Sequence, residues 1–431
     1  MIEQLYDIYL QHPVVTTDTR SITEGAIFFA LKGGNFNGNL FVEKAFEGGA
    51  AYCVIDQSDC KINERCILVD DVLQTLQALA KLHRERQVIP FLAITGTNGK
   101  TTTKELIYAV LSQKYKCHAT KGNLNNHIGV PLTILSMPQD TEIAIIEMGA
   151  NHQGEIAFLC EIAQPDFGII TNIGKAHLEG FGGFEGVVKT KTELYRYIGK
   201  AGGRLFVNAD NPLLMESLKA IPSTIITYGT SDEAACKATF KSAKSNLSFY
   251  FEKNDQVYTV QTQLPGAYNF ENAVAAVCIG SYFRVDDFDI KEALENYVST
   301  NNRSQFIETK LNELYLDAYN ANPSSMQAAV ENFAQQKGRR NKVLILGGMK
   351  ELGASSHEEH ELLLTFILSK GFTSLFLVGE EFAFANGQKG ISWFINTEEL
   401  KKFLSAEPVK KSFVLIKGSR ANRLETLLEV L

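Results

Sequence analysis

Residues 91–111 read FLAITGTNGKTTTKELIYAVL. The apolar run 91–95 predicts a buried strand, and after Thr101 the apolar residues recur at the spacing of one helical face. The turn between them therefore joins a strand to a helix N-terminus, where unpaired backbone N–H groups and the helix dipole favour an anion. Gly96 and Gly99 let the backbone approach such a group closely. The stretch predicts a phosphate-binding loop.

A lysine and a threonine close this loop. In a P-loop of the form GxxxxGK[ST], the lysine reaches the terminal phosphates and the next hydroxyl is a ligand of Mg²⁺. The loop here, GTNGKT, is two residues shorter. A tight turn with a solvated lysine is the alternative, but the order of strand, glycines, Lys and Thr favours phosphate. The predicted ATP-binding residues of the loop are Gly96, Thr97, Asn98, Gly99, Lys100, Thr101 and Thr102.

Length, charge and cysteine pattern limit the class of protein. At 431 residues, the chain exceeds the size at which one core stops growing, so two or three domains are expected. A net charge of −7 argues against broad electrostatic binding to nucleic acid. The seven cysteines include no CxxC pair, so neither a zinc site nor a disulfide framework is predicted. Without a signal-like N-terminus or a long apolar run, we expect a cytoplasmic protein that does not insert into a membrane. We also expect it to be a monomer.

Alternating strand and helix patterns predict an α/β fold in three domains. Residues 1–86 hold short strands and one helix pattern, which indicates a small α/β domain. Residues 87–300 predict a central, P-loop-type domain with a mainly parallel sheet, extended by a hairpin that turns near Asn254 and Asp255. Residues 301–431 alternate again and predict a C-terminal Rossmann-like domain.

Further motifs lie on both sides of the loop. They are TDTRSITEGAIFFALKGGNFNGN (17–39), GNLNNHIGVP (122–131), IEMGAN (146–151), TNIGKAHLEGFG (171–182), DAYNANPSS (317–325) and KGSRANRLE (417–425). Together with GTNGKTT they make essentially the whole chain resemble the Mur ligases. Within that family, DAYNANP and KGSR resemble the members that add D-alanyl-D-alanine.

The resemblance implies an ATP-dependent amide ligase of peptidoglycan precursor synthesis. ATP would phosphorylate the C-terminal carboxylate of a UDP-N-acetylmuramoyl-tripeptide, and the amine of D-alanyl-D-alanine would displace the phosphate. The first domain would bind the UDP end, the central domain ATP, and the third domain would close on ATP and bind the dipeptide. Because an anionic oxygen attacks an anionic phosphate, the site must neutralise charge, and two Mg²⁺ ions are implied.

The resemblance also assigns metal ligands. Glu147 ends a strand at the carboxyl edge of the central sheet and would bind Mg²⁺ beside Thr101, with a helix-capping role as the alternative. His177 matches a histidine that binds a second Mg²⁺, although a lone histidine is more often structural. Lys191 aligns with a lysine that CO₂ converts into a carbamate ligand; Lys189 is the rival position, and a solvated helix face is the alternative for both. The predicted catalytic residues are Lys100, Glu147, His177 and Lys191.

Residues of two domains would hold the nucleoside. PGAYNFENAVAAV (265–277) resembles the family pattern PGxHNxxNAxAA, which places Asn269 and Asn272 on one helix face near the adenine. Tyr268 stands where histidine is usual, and helix capping is an equal alternative for Asn269. Arg303 matches an arginine that meets the phosphates, and Asp317 an aspartate that meets the ribose; a surface salt bridge and a strand-end cap are their alternatives.

Substrate contacts are predicted in three loops, where ordinary turn residues are the alternative. They are Thr19, Arg20 and Lys32 for the UDP end, Asn125 and Asn126 for the sugar nucleotide, and Asn320 and Asn322 for the incoming dipeptide.

Three other assignments share part of these features. Folylpolyglutamate synthase shares GTNGKT but starts close to its P-loop, without a leading domain like residues 1–86. The diaminopimelate-adding ligase would carry a DNPR run in its last domain, and this chain has none there. A nucleotide-switch module would need only the P-loop and the metal ligands, so turnover that depends on a second substrate would distinguish it from a ligase. The third residue of the tripeptide, lysine or diaminopimelate, stays open.

Overall fold

The structure is a computed structural model that describes residues 1–219, 221–243, 246–253, 256–299, 305–336 and 341–431. The predicted turn at Asn254 and Asp255 and the predicted phosphate contact Arg303 lie outside these residues. We call residues 1–85 the first unit, 91–296 the central unit and 305–431 the third unit.

The first unit is a small parallel sheet with helices. Its helices are α1 (Ile2–Gln11), α2 (Val42–Glu47) and α3 (Val72–Glu85), and its strands are β1 (Val15–Thr16), β2 (Ile27–Phe29), β3 (Lys32–Gly33), β4 (Phe36–Asn37), β5 (Tyr52–Ile55) and β6 (Cys66–Leu68). Strands β1, β2, β5 and β6 pair in parallel in that order, and β3 pairs with β4 in an antiparallel hairpin.

The central unit is built on a larger sheet. Its strands are β7 (Phe91–Thr95), β8 (Cys117–Ala119), β9 (Ile143–Glu147), β10 (Phe167–Ile170), β11 (Arg204–Asn208), β12 (Thr224–Gly229), β13 (Cys236–Ser242), β14 (Ser248–Lys253) and β15 (Gln256–Gln261). Its helices are α4 (Lys100–Leu111), α5 (Gly129–Leu135), α6 (Glu155–Ala163), α7 (Leu178–Phe181), α8 (Phe184–Lys191), α9 (Glu193–Ala201), α10 (Pro212–Glu216), α11 (Asn269–Tyr282) and α12 (Asp287–Asn296).

The order of strands in this sheet is β15-β14-β13-β12-β11-β10-β7-β9-β8. Pairing is parallel from β8 to β13 and antiparallel through β14 and β15. Every residue of β7, β9 and β10 is buried, because helices cover both faces of the parallel part. The predicted hairpin is confirmed, since β14 and β15 pair from Lys253 opposite Gln256.

The third unit repeats the parallel design. Its strands are β16 (Gln305–Glu308), β17 (Glu313–Asp317), β18 (Lys342–Gly347), β19 (Leu375–Val378), β20 (Ile391–Phe394) and β21 (Phe413–Lys417), and its helices are α13 (Pro323–Gln335), α14 (Ser356–Ser369) and α15 (Thr397–Ala406). The order is β16-β17-β21-β18-β19-β20, and only the pairing of β16 with β17 is antiparallel.

The predicted three-domain α/β fold is confirmed, with one sheet at the centre of each unit. The boundary positions at 86 and 300 stay predictions. One apolar cluster runs from α1 and α3 of the first unit into β7, α5 and α6 of the central unit. Within the described ranges, no helix combines the length and apolar character needed to cross a membrane.

Candidate active site

The carboxyl ends of the central strands face the third unit across a cleft of about 640 Å³. Strand ends of parallel sheets meet at one edge, so side chains far apart in sequence converge there. The predicted residues on its walls are Gly96, Thr97, Asn98, Gly99, Lys100, Thr102, Asn125, Asn126, Glu147, His177, Lys191, Asn269, Asn272, Asp317, Asn320 and Asn322.

The loop between β7 and α4 depends on its two glycines. Gly96 has φ +145° and Gly99 has φ +76°. A Cβ atom on Gly96 would lie 2.0 Å from Thr171 Oγ1, and one on Gly99 would lie 2.7 Å from Asn272 Oδ1. Larger residues would therefore push the loop away from the strand end. The glycines keep the first N–H groups of α4 at the cleft, as an anion site requires.

Lys100 is the first residue of α4 and turns back over the loop. Its Nζ donates hydrogen bonds to the carbonyl oxygens of Gly96 at 2.8 Å and Thr97 at 3.1 Å. The ammonium group thus lies at the mouth of the loop. A short rotation of its side chain would bring it to a phosphate held there.

Glu147, at the end of β9, lines the cleft and is only 1% exposed. Its Oε2 accepts a hydrogen bond from Thr101 Oγ1 at 2.9 Å, and its Oε1 accepts one from Asn125 Nδ2 at 2.8 Å. The two predicted Mg²⁺ ligands Thr101 and Glu147 are therefore adjacent. Hydroxyl and carboxylate oxygens are the donors that Mg²⁺ prefers, so this pair fits the ion.

The structure separates the two rival lysines of α8. Lys191 is 3% exposed and lines the cleft, with its Nζ 5.6 Å from the centre of the Phe181 ring, whereas Lys189 is exposed to solvent. Burial, assisted by the positive charge of Lys100, lowers the pKa of Lys191 to about 7. The solvated helix face therefore describes Lys189 and is wrong for Lys191.

His177 reaches the cleft from the loop after β10, where its backbone has φ +50°. Its buried Nδ1 is in contact with Oε2 of Glu351 in the third unit, but among the described residues it has no partner with hydrogen-bond geometry. Glu351 is not among the site residues predicted from the sequence. The His177 side chain lowers the pKa of Glu351. Among the described residues, no three His, Cys, Asp or Glu side chains form a cluster that could hold a metal. A second ion beside His177 would therefore need a further anionic oxygen.

The two predicted adenine asparagines form a chain of hydrogen bonds beneath the loop. Asn269 Nδ2 donates to the carbonyl of Pro265 at 2.8 Å, and Asn272 Nδ2 donates to Asn269 Oδ1 at 3.0 Å. Thr103 Oγ1 donates to Asn272 Oδ1 at 3.0 Å. Tyr268 is the N-cap residue of α11, so the capping alternative for Asn269 is wrong. The chain of amides fixes α11 against α4.

Asp317 and Lys417 form the strand-end pair of the third unit. They are 100 residues apart in sequence but lie opposite each other in β17 and β21. Lys417 Nζ donates to Asp317 Oδ2 at 2.6 Å and to the carbonyl of Asn320 at 3.1 Å. Lys417 begins the KGSR motif, but it is not among the site residues predicted from the sequence. Lys417 is 2% exposed and lines the cleft.

Three of the asparagines predicted to contact substrate make hydrogen bonds that stabilise their own loops or helices. Asn322 caps α13 in a reciprocal capping box with Ser325, and its Nδ2 also donates to Asn98 Oδ1 at 2.8 Å. Asn126 Oδ1 accepts from the backbone N–H groups of residues 128 and 129. Asn320 is exposed, and its Oδ1 accepts from the next backbone N–H. Their substrate roles stay predictions.

The predicted UDP contacts lie in the first unit and are not among the residues that line the cleft. Arg20 pairs with Asp18 and holds the pKa of that carboxyl at about 2, while its own side chain is 84% exposed. Lys32 Nζ lies 3.0 Å from Asp56 Oδ2. Thr19 begins the short 3₁₀ turn that contains Arg20. These side chains are accessible to an anion, and their role stays a prediction.

Comparison with known proteins places this geometry in a family. Residues 94–280 match the Mur ligase middle domain, and residues 302–420 match the Mur ligase, glutamate ligase domain. The chain is 35% identical over 425 residues to UDP-N-acetylmuramoyl-tripeptide–D-alanyl-D-alanine ligase of Bacillus subtilis (strain 168), covering 96% of this chain and 92% of the relative. It is 33% identical to the Escherichia coli (strain K12) protein of the same name over 432 residues, covering 97% and 93%.

Two solved structures of MurF proteins are also similar to this chain. Crystal structure I of MurF from Acinetobacter baumannii matches with a TM-score of 0.86 and 31% identity, over 96% of this chain and 92% of that one. The MurF ligase from Thermotoga maritima in complex with ADP matches with a TM-score of 0.84 and 29% identity, over 98% and 97%.

Proposed function

The chain belongs to the Mur ligase family, and from this premise we propose that it joins D-alanyl-D-alanine to UDP-N-acetylmuramoyl-tripeptide at the expense of ATP. The reaction forms one amide bond and releases ADP and phosphate. The observation that carries the proposal is the cleft, in which the P-loop lysine, an anchored carboxylate and a buried lysine of low pKa meet. This is an ATP-dependent step of peptidoglycan precursor synthesis, which we place in the cytoplasm, catalysed by a monomer.

ATP would lie with its phosphates on the loop 96–102. The N–H groups at the start of α4 and the ammonium of Lys100 supply a local positive potential for the phosphates. Binding would exchange the hydrogen bonds of Lys100 to Gly96 and Thr97 for bonds to phosphate oxygens. Asn269 and Asn272 would lie near the adenine, Asp317 near the ribose, and Arg303 near the phosphates.

Thr101 and Glu147 would hold one Mg²⁺ ion through hydroxyl and carboxylate oxygens. When bound, Mg²⁺ neutralises the charge that develops on the transferred phosphoryl group. Asn125 keeps the Glu147 carboxylate oriented by its hydrogen bond. His177 and Lys191 would hold a second ion.

Lys191 suits conversion to a carbamate. The neutral amine attacks CO₂, an N–C bond forms, and one proton leaves, so a cationic side chain becomes an anionic oxygen ligand. Attack requires the uncharged amine, and a pKa of about 7 supplies it at neutral pH. An unmodified ammonium at this place would repel a metal ion instead of binding it.

The reaction then has two steps. A carboxylate oxygen of the tripeptide attacks the γ-phosphorus, ADP leaves, and an acyl phosphate forms. The dipeptide amine attacks the acyl carbon, phosphate leaves, and the amine loses its proton as the amide forms. In this scheme, the first unit holds the UDP end through Thr19, Arg20 and Lys32, and the third unit presents the dipeptide near Asn320 and Asn322, while Asn125 and Asn126 face the sugar nucleotide.

The test is phosphate release from ATP with each substrate alone and with both. We expect fast release only when UDP-N-acetylmuramoyl-tripeptide and D-alanyl-D-alanine are both present, and mass spectrometry should find the pentapeptide product. Tripeptides ending in lysine and in diaminopimelate should be compared, since the sequence leaves that residue open. ATP hydrolysis that neither substrate stimulates would favour the nucleotide-switch alternative and contradict the proposal.

A further inference from the structure

Two ion pairs connect one loop of the central unit to the third unit. The loop after β10 contains Lys175 and His177, and each faces a carboxylate from the region after β18. Lys175 Nζ lies 2.7 Å from Glu359 Oε1, and His177 Nδ1 is in contact with Glu351 Oε2. The two pairs are only two residues apart on the loop, yet their surroundings differ.

The Lys175–Glu359 pair has the properties of a docking contact. The Glu359 side chain is 8% exposed, and neither residue lines the cleft. The amide N–H of Lys175 also donates to Ser324 Oγ of the third unit at 3.1 Å. Lys175 therefore contacts the third unit through both its side chain and its backbone.

The His177–Glu351 pair lies inside the cleft, and both residues line it. The Glu351 side chain is 56% exposed, so packing in an apolar core does not account for its position next to His177. Both residues have backbone angles in the left-handed region, φ +50° for His177 and φ +63° for Glu351. Such strain in non-glycine residues persists only where the surrounding structure imposes it, and it is concentrated at functional sites. Next to Glu351, Gly353 packs against the side chain of Glu179 in α7, where an added Cβ would lie 3.0 Å from Glu179 Cβ.

We propose that Glu351 is a positioning residue that orients the His177 imidazole when the third unit docks. An Nδ1–H that donates to the Glu351 carboxylate in the docked arrangement would leave the lone pair on Nε2, which is then the nitrogen available to a metal ion. Carboxylates in this position fix the tautomer and ring orientation of a metal-binding histidine and increase its basicity. Because Glu351 belongs to the third unit, the imidazole is oriented only in the docked arrangement.

A consequence is that docking and chemistry become linked. In an undocked molecule, His177 would lack its partner, and the second ion would bind weakly. ATP would then meet an incomplete site until the unit that presents the dipeptide has arrived. The inference rests on the proposed function for the identity of the reaction, but its metal-binding part does not depend on which amine is the acceptor.

The test compares Glu351→Gln with the matched control Glu359→Gln. Each variant removes one negative charge that the third unit places next to the loop after β10, and each keeps the shape of the side chain. Glu351→Gly is a second variant, because glycine adopts φ +63° without strain and deletes the side chain. Thermal unfolding verifies that each variant is folded. The readouts are kcat, the KM of each substrate, and Mn²⁺ binding measured by electron paramagnetic resonance with the β,γ-imido analogue of ATP.

We expect Glu351→Gln to lower kcat about 10-fold and Glu351→Gly up to about 100-fold, with weaker binding of the second Mn²⁺ ion by a similar factor. The KM for D-alanyl-D-alanine should change less than kcat does. Glu359→Gln should change kcat and Mn²⁺ affinity by less than about 3-fold, because neither Glu359 nor Lys175 lines the cleft.

Two outcomes overturn the inference. One is wild-type Mn²⁺ affinity in both Glu351 variants. The other is an equal loss in Glu351→Gln and Glu359→Gln, which would show that both pairs only dock the third unit. If the wild-type chain fails to use D-alanyl-D-alanine but the Mn²⁺ difference persists, the proposed function fails and the inference about Glu351 stands.

Discussion

The joint between the first and central units differs from the joint between the central and third units. The first joint is apolar, and a single cluster of buried side chains crosses it. Its members include Leu5, Tyr9, Ile27, Leu76 and Leu79 from the first unit and Phe91, Val130, Ile134 and Leu159 from the central unit. Arg84 reinforces it by donating to the carbonyls of Ala163 and Gln164 and to Asp166.

The second joint is polar. In the part of the chain that the structure describes, no apolar cluster crosses it, because the clusters of the third unit contain only residues from 307 onward. Hydrogen bonds and ion pairs connect the two sides instead, among them Asn98–Asn322, Lys175–Glu359, His177–Glu351 and Tyr268–Tyr315.

The contrast between the two joints indicates which units move relative to each other and where the chemistry occurs. Separating an apolar joint exposes a large hydrophobic surface to water, whereas polar contacts exchange with water at little net cost. We therefore expect the first and central units to move as one body and the third unit to close and open over the cleft. Substitutions at the polar joint should lower the catalytic rate with little change in the free energy of unfolding. Substitutions at the apolar joint should lower the free energy of unfolding with little change in the catalytic rate.

The largest expected effect is that of Lys100→Ala at the polar joint. Loss of a positioned cation that faces developing phosphoryl charge costs roughly 3–4 kcal/mol of transition-state stabilisation, so kcat should fall about 10³-fold. The free energy of unfolding, from urea titration by circular dichroism, should stay within about 1 kcal/mol of wild type. A folded Lys100→Ala protein with a nearly normal rate would refute its assignment to ATP.

The next effect is the contrast between Lys191→Ala and Lys189→Ala. The buried lysine should lose about 10²-fold in kcat, because a metal-binding oxygen disappears. The exposed one should lose less than about 3-fold. Short carboxylic acids should partly restore Lys191→Ala by supplying the missing oxygen, and bicarbonate should activate only the wild type. Since the amine must be neutral, that activation should increase as pH rises through about 7. Equal, mild losses in both variants would show that the metal is held in another way.

The sequence predicted the central unit best where physical constraints are local. Full burial makes β7 a continuous apolar run, and the strand Phe91–Thr95 and the helix from Lys100 lie where the pattern placed them. The choice between Lys189 and Lys191 was harder, because both fit the motif and only the packing of α8 decides which one faces the cleft.

Residues that depend on long-range assembly were missed. Glu351 reaches His177 only because the third unit docks there, and no local pattern in GGMKELG indicates that contact. Lys417 meets Asp317 through the strand order of the third sheet, which places β21 next to β17. The boundary predicted at residue 86 likewise follows a change in the sequence pattern. That pattern does not indicate that α3 packs against the central unit, which the shared apolar cluster shows.

At the apolar joint, Arg84→Met should lower stability and leave chemistry intact. Methionine keeps packing against Phe91, whose ring centre lies 4.0 Å from the guanidinium carbon, but it leaves buried carbonyls without a donor. The expected loss is about 2 kcal/mol of unfolding free energy, measured by urea titration. The value of kcat per folded molecule should be unchanged. Glu351→Gln at the polar joint, where the carboxylate is 56% exposed, is the control and should cost less than about 0.5 kcal/mol. A larger stability loss in the control would reverse the comparison of the two joints.

The smallest expected effect is a pH dependence at the same apolar joint. His83 is buried between Tyr6 and Tyr9, whose hydroxyls lie 3.3 and 3.5 Å from its ring nitrogens, and burial lowers its pKa to about 4. Between pH 6.5 and 4, the unfolded chain therefore binds a proton that the folded chain does not. The free energy of unfolding must therefore decrease as pH falls through this window and recover as pH rises. At pH 5.5, the decrease is on the order of 1 kcal/mol. His83→Gln should flatten this part of the profile of unfolding free energy against pH, whereas His357→Gln, at an exposed site of the third unit, should leave it unchanged. If both variants kept the wild-type slope, proton uptake at the apolar joint would not be its source, and the joint would be more open to water than its packing indicates.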